Sequence, residues 1–215
     1  MQTDRIAEII YETAISEDKE LSLIANQGIF HMPELAFAYQ CGKAILKEAH
    51  TIFDGLNVTW IREENLGNGG PTDLVFKLEN GDTLAIEFKL RDTTTSYEKD
   101  IIKLCKITKP NTLKIFCALI DVFDSKLPDD GRQRYIESLT GYRVIPLLKK
   151  SFSTKQNWYK SDTSCVVGVW SVSLLTYFTS ISDFTHLARC PKVADQNSEP
   201  PLTEVASRRS SKSFT

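Results

Sequence analysis

The chain has 215 residues, of which 41% are hydrophobic and 25% charged, and its net charge is −2. That balance is ordinary for one soluble globular domain with a sizeable core. It excludes a global basic field, so a nucleic-acid partner has to be held by a local patch or by a metal.

In chain order, residues 4 to 15 place Ile6, Ile9, Ile10 and Ala14 on one stripe, which predicts a short amphipathic helix. Residues 17 to 25 are read as a second helix. Pro33 opens a stronger one, acceptable at the first helical position. Ala38, Cys41 and Ile45 line one face of it, with Leu35, Tyr39, Gly42 and Leu46 beside them. Glu34 sits one turn before Ala38 on the same inward stripe, where the helix macrodipole also favours an acid. Asn57 to Glu64 reads as a strand. It leads into the loop Leu66 to Pro71, which is Gly-rich but lacks a P-loop lysine and opens no helix.

The stretch from Gly69 to Arg91 is a hairpin. Leu74, Phe76 and Leu78 alternate with Val75, Lys77 and Glu79, and Leu84, Ile86, Phe88 and Leu90 with Thr83, Ala85, Glu87 and Lys89. Asn80-Gly81 is the turn signal. A two-residue turn would set the apolar residues of the two arms on opposite faces. A three-residue loop, Glu79 to Gly81 with Gly81 left-handed, pairs Leu78 with Asp82 and gathers all of them on one face. The other face then carries Asp73 opposite Glu87, with Lys89 two residues on. Two carboxylates about 5 Å apart across a strand pair repel unless a cation lies between them. Mg²⁺ suits such a pair because it takes oxygen ligands and keeps several waters. Lys89 could orient or deprotonate one of those waters, and phosphodiester hydrolysis needs such a nucleophile and charge neutralisation at the phosphate.

Thr95-x-x-Glu98 is a capping-box signature for the next helix, which buries Tyr97, Ile101 and Leu104 or Cys105. Lys99, Lys103, Lys106 and Lys109 lie mainly on its other faces. They face solvent or a phosphate backbone. Pro110 ends the helix. Leu113 to Val122 is nearly continuous apolar, the pattern of a central strand with helices on both sides. Pro128 to Leu139 reads as a helix, and Tyr142 to Leu148 and Ser164 to Trp170 as strands.

Between those two strands, Lys149, Lys150, Lys155 and Lys160 are interleaved with Phe152, Trp158 and Tyr159. Such a segment either tracks phosphates with rings stacked on bases or is a polar loop whose aromatics return to the core. Residues 171 to 189 are read as helical. The composition then shifts to Pro, Ser, Asn and Arg, which predicts a disordered tail over 191–215 after a single domain over 1–190.

Pro71-x-Asp73, thirteen residues, then Glu87-x-Lys89 resembles the PD-(D/E)XK nuclease superfamily, the restriction-endonuclease-like fold. The likeness extends, as an order of helix, strand, hairpin, helix and strand, from about Pro33 to Ile120. Pro71 stands two residues before Asp73 rather than one, a departure from the nominal pattern. The resemblance implies an α/β fold with a central mixed β-sheet flanked by helices. It implies a Mg²⁺-dependent endonuclease, with Mn²⁺ as substitute, acting on DNA before RNA in restriction, defence or repair. The metal ligands it implies are Asp73, Glu87, the backbone carbonyl of Phe88 and, from the preceding helix, Glu34, with Lys89 at the water. Lys149, Lys150, Lys155, Trp158 and Lys160 are the candidate nucleic-acid contacts, and a homodimer is within the expectation. Two rival readings stand beside this one: a catalytically inactive binding or subunit-interaction module of the same fold, and a phosphodiesterase on small nucleotides.

Five cysteines, at 41, 105, 117, 165 and 190, lack the paired spacing of a zinc site or disulfide framework. With no run approaching a membrane span and no signal-peptide core at the start, the expected location is the reducing cytoplasm.

Overall fold

In the computed structural model, which describes residues 1–175, helix α1 (Thr3–Ile24) is one rod of 22 residues. The sequence predicts two helices there. No glycine or proline interrupts the stretch, and the polar Asp18 within it is buried and used. Its Oδ1 accepts from the Ile29 backbone N–H at 2.8 Å and from the Thr154 hydroxyl, so its charge ties the helix to the far end of the sheet. Pro33 is the N-cap of α2 (Glu34–Lys47), and a short turn, α3 (Ala49–Ile52), follows.

Six strands then form one mixed sheet: β1 (Val58–Asn65), β2 (Pro71–Leu78), β3 (Thr83–Leu90), β4 (Thr112–Phe123), β5 (Tyr142–Thr154) and β6 (Thr163–Leu174). Their spatial order is β1-β2-β3-β4-β6-β5, and only β3 and β4 run parallel. That parallel pair requires a crossover, supplied by α4 (Thr94–Cys105). A last short helix, α5 (Arg132–Glu137), precedes β5. The architecture is thus α/β, a six-stranded mixed sheet with helices on both faces.

The hairpin has the register that its apolar pattern demands. Leu74 faces Ile86 and Phe76 faces Leu84. Leu78 donates its N–H to Asp82, and Gly81 closes the loop with φ +92°, a conformation that favours glycine. Leu74, Phe76, Leu78, Leu84, Ile86 and Phe88 all enter one core, beneath α1 and α2. Six such side chains, at roughly 1.5 kcal/mol or more each, outweigh any preference between turn types. The Phe88 ring stands edge-on to Phe37 of α2 at 5.6 Å, which fixes α2 over this end of β3.

β4 is buried on both faces, as its unbroken apolar run predicts. Ile115, Cys117 and Leu119 join the core under α1 and α2. Phe116, Ala118, Ile120 and Val122 join a second core with Tyr97, Ile101 and Leu104 of α4 and Ile136 of α5.

Three local expectations are corrected. The cap of α4 is Thr93, whose Oγ1 accepts from the Ser96 N–H at 3.4 Å, while Glu98 instead accepts from the Tyr135 hydroxyl at 2.7 Å. The predicted loop from Lys149 is strand as far as Thr154, because β6 extends beside it. β5 is the edge strand and carries Pro146 next to a bulge, the position that a residue without an N–H tolerates. The helix expected over 171–189 gives way to β6 up to Leu174; its remainder, Cys190 and the tail expected over 191–215 lie outside the described residues. Among the described residues, no helix is long and apolar enough to cross a membrane. The four cysteines described are buried and unpaired.

Candidate active site

The β2–β3 ladder ends at Leu74 and Ile86. One step further the same register sets Asp73 against Glu87, but there the strands part. β2 turns toward β1, where Thr72 meets Glu64, while β3 stays beside β4 up to Leu90. The Asp73 side chain fills the fork. Its Oδ2 accepts from the Phe88 backbone N–H at 2.8 Å, in place of the missing ladder bond. Since Phe88 points into the core under α2, its neighbours Glu87 and Lys89 point to the opposite face, toward α4.

Four acids and two lysines meet there. Glu87 is only 2% exposed. The Lys103 ammonium, from α4, lies 2.7 Å from Glu87 Oε1 and donates to the Pro71 carbonyl, also at 2.7 Å. The Lys89 ammonium sits between Glu34 Oε1, at 3.3 Å, and Asp100 Oδ2, at 3.1 Å. Glu34 Oε2 accepts from the Leu90 N–H at 2.9 Å, so the first residue of α2 is pinned to the end of β3.

The electrostatics follow from burial and crowding. Burial, reinforced by the neighbouring Asp73, pushes the Glu87 carboxyl up to about 8, against the opposing pull of Lys103. Burial also raises Asp73, although the Phe88 N–H holds it partly back. Glu34 is raised by burial too, with the Leu90 N–H and Lys89 opposing. Burial pulls the Lys89 ammonium down, but Asp100 and Glu34 outweigh it and leave it above its ordinary value. Lys89 is therefore a firm cation.

With all six groups ionised the cluster would carry 2 − 4 = −2. Glu87 Oε1 and Asp100 Oδ2 are buried, and among the described residues each has a single ammonium as its partner, Lys103 at 2.7 Å and Lys89 at 3.1 Å. A divalent cation between Asp73 and Glu87 matches both the charge deficit and the oxygen donor type. The match is to a two-carboxylate site completed by waters. Among the described residues, no group of three or more His, Cys, Asp or Glu is placed to hold a metal. Glu34 is committed to Leu90 and Lys89 instead.

Asp100 and Lys103 are absent from the site that the sequence predicts. Their signal was their one-turn spacing along the flank of the Tyr97–Ile101–Leu104 stripe. That spacing does not say which flank meets the hairpin.

The lysine-rich segment does not assemble as one surface. Lys149 and Lys150 are successive residues of β5 and point to opposite faces. Lys149 pairs with Glu137 at 3.0 Å and Lys150 with Glu8 at 2.7 Å. Lys155 donates to Asn26 at 3.2 Å and, with Lys160, lines a polar cavity of about 530 Å³ that also contains Asp18. Trp158 alone reaches toward the site. It is 48% exposed, and the Arg91 guanidinium, two residues beyond Lys89, lies over its ring at 4.1 Å.

Comparison of the chain with protein-family models, with curated proteins and with solved structures finds no match.

Proposed function

We propose that this protein is a Mg²⁺-dependent nuclease that hydrolyses phosphodiester bonds in DNA at Asp73, Glu87 and Lys89. The observation that carries the reading is the fork between β2 and β3. It sets the buried Glu87 carboxyl beside the half-buried Asp73 in a cluster of four acids and two lysines, one of them Lys89, held as a cation. Mg²⁺ bound there would neutralise the phosphate and supply a nucleophilic water at neutral pH. Asp73 and Glu87 would hold the ion, with the Phe88 carbonyl as a further ligand by resemblance to the PD-(D/E)XK enzymes.

The protein's own residues define the remaining roles. The Phe88 N–H fixes the Asp73 carboxylate, so the ligand is oriented before anything binds. Lys89, held above its ordinary value by Asp100 and Glu34, acts as a donor rather than as a base. It orients the attacking water and stabilises charge on a non-bridging phosphate oxygen. Glu34 serves as the positioning group for Lys89, not as a metal ligand.

The test is incubation of the purified protein with plasmid DNA and Mg²⁺ or Mn²⁺, beside Glu87→Ala and Lys89→Ala variants. The native protein should nick or linearise the plasmid, and both variants should lose that activity. Cleavage that survives both substitutions refutes the assignment.

The second reading, an inactive module of the same fold, draws on the Lys103–Glu87 ion pair, which offsets the Glu87 charge from within. Calorimetry separates the two. Mg²⁺ binding that is lost in Asp73→Ala supports the enzyme. No binding at millimolar metal supports the module.

A further inference from the structure

Lys89 and Lys103 both stand among carboxylates, but they are held differently. Lys89 is bracketed by two acids from two helices. Lys103 has one ion-pair partner, Glu87 Oε1 at 2.7 Å. It also donates to a neutral acceptor, the Pro71 carbonyl. Among the described residues, Lys103 is the single partner of Glu87 Oε1.

A flexible four-carbon stem carries this charge, and the side chain is 23% exposed. The stem runs beside the loop at Gly70, with its Cδ 3.9 Å from where a Cβ at Gly70 would stand. It packs against a turn and is not enclosed in the core. Its ammonium occupies a place at Glu87 that a metal ion would need.

We propose that Lys103 is a tethered cation that competes with the divalent ion for Glu87 and yields its place when the metal arrives. This rests on the reading of Asp73 and Glu87 as metal ligands. Lys103 is then a positioning residue. It offsets the charge of the buried Glu87 before metal binds, and it sets the metal affinity lower than the two carboxylates alone would give. The Pro71 carbonyl remains its second anchor after displacement.

The test is calorimetric titration of the full chain with Mg²⁺ alone, in alkaline buffer. Four proteins are compared: native, Lys103→Met, Lys99→Met and Asp73→Asn. Lys103→Met keeps the stem and removes the charge. Lys99→Met removes an exposed charge from the same helix and controls for the general field. Thermal melts establish that each variant is folded; if Lys103→Met is not, Lys103→Gln replaces it.

Competition predicts that Lys103→Met binds Mg²⁺ about tenfold more tightly than the native protein, within the usual range of coupling between two binding events. Lys99→Met should stay within about twofold, since an exposed charge is screened. Asp73→Asn should lose binding. A lysine with a merely structural role would weaken binding or leave it unchanged when removed. That result, with native binding intact and lost in Asp73→Asn, overturns the competition and leaves the metal site standing. Equal tightening in Lys99→Met and Lys103→Met overturns it as well. Absence of Mg²⁺ binding in both the native protein and Lys103→Met removes the metal site itself, and this inference with it. Binding by Lys103→Met where the native protein shows none supports the competition in its strongest form.

Discussion

Replacing Glu87 by glutamine should stabilise the metal-free protein, and the gain should grow with pH. In the folded protein Glu87 keeps its proton up to about 8, because burial and then Asp73 disfavour the charge. In the unfolded chain it ionises near 4.5, the ordinary value. Between those limits the native state binds more protons than the unfolded one, so stability falls as pH rises through the window. Below the window both states are protonated and nothing is lost. Above it the full cost of the buried charge is present. The interval of about 3.5 pH units, at about 1.36 kcal/mol each, sets that cost at about 4 to 5 kcal/mol. Glutamine has the same shape and no charge to bury, and Lys103 keeps its bond to the Pro71 carbonyl. For a domain of this size, 1 kcal/mol corresponds to about 2–4 °C, so a rise in Tm of about 10 °C over native is expected at about pH 9. At about pH 5 the difference should be only a degree or two, by the same linkage. The assay is a pair of thermal melts in chelator across that range, read as the difference between the two proteins so that other titrating groups cancel. A difference that stays constant with pH, or a glutamine variant less stable than native at alkaline pH, refutes the placement of Glu87 as a buried carboxyl beside Asp73.

Three further outcomes follow from the same geometry. Asp73→Asn retains an acceptor for the Phe88 N–H and relieves the repulsion. It should melt higher than native without metal and respond less to Mg²⁺, whereas Asp73→Ala leaves that N–H unpaired and should lie about 1–3 kcal/mol below Asp73→Asn; a chemical denaturation series in chelator ranks the three. Gly42→Ala sets a methyl 2.4 Å from the Trp60 ring, so urea unfolding should show a loss of about 1–3 kcal/mol, and an unchanged midpoint would mean that α2 does not lie against β1 there. Arg132 pairs with the largely buried Asp121 at 2.8 Å and also bonds Asp130, so Arg132→Met should cost about 3 kcal/mol in the same assay, with a loss below about 0.5 kcal/mol contradicting the network.

The sequence by itself determined the parts whose physics is local and periodic. The alternation of leucines and phenylalanines admits one hairpin register, and that register alone places Asp73, Glu87 and Lys89 on a common face. The unbroken apolar run of β4 required helices on both sides. The Tyr97–Ile101–Leu104 stripe gave α4 its buried face. Tertiary structure decided whatever depended on partners distant in the chain. Residues 4 to 15 and 17 to 25 read as two helices, and only the fold shows one rod whose Asp18 is buried against Ile29 and Thr154. Lys149 and Lys150 read as one basic patch until the strand pairing with β6 sends them to opposite faces. Lys99 and Lys103 are indistinguishable as letters on a helix. Only the docking of α4 against the β2–β3 fork makes one of them a surface charge and the other the counter-ion of Glu87. A periodic pattern records which side of an element is buried, because burial acts on every residue of the stripe. An ion pair between elements leaves no such repeat, because it forms once, at one crossing, where two surfaces happen to meet.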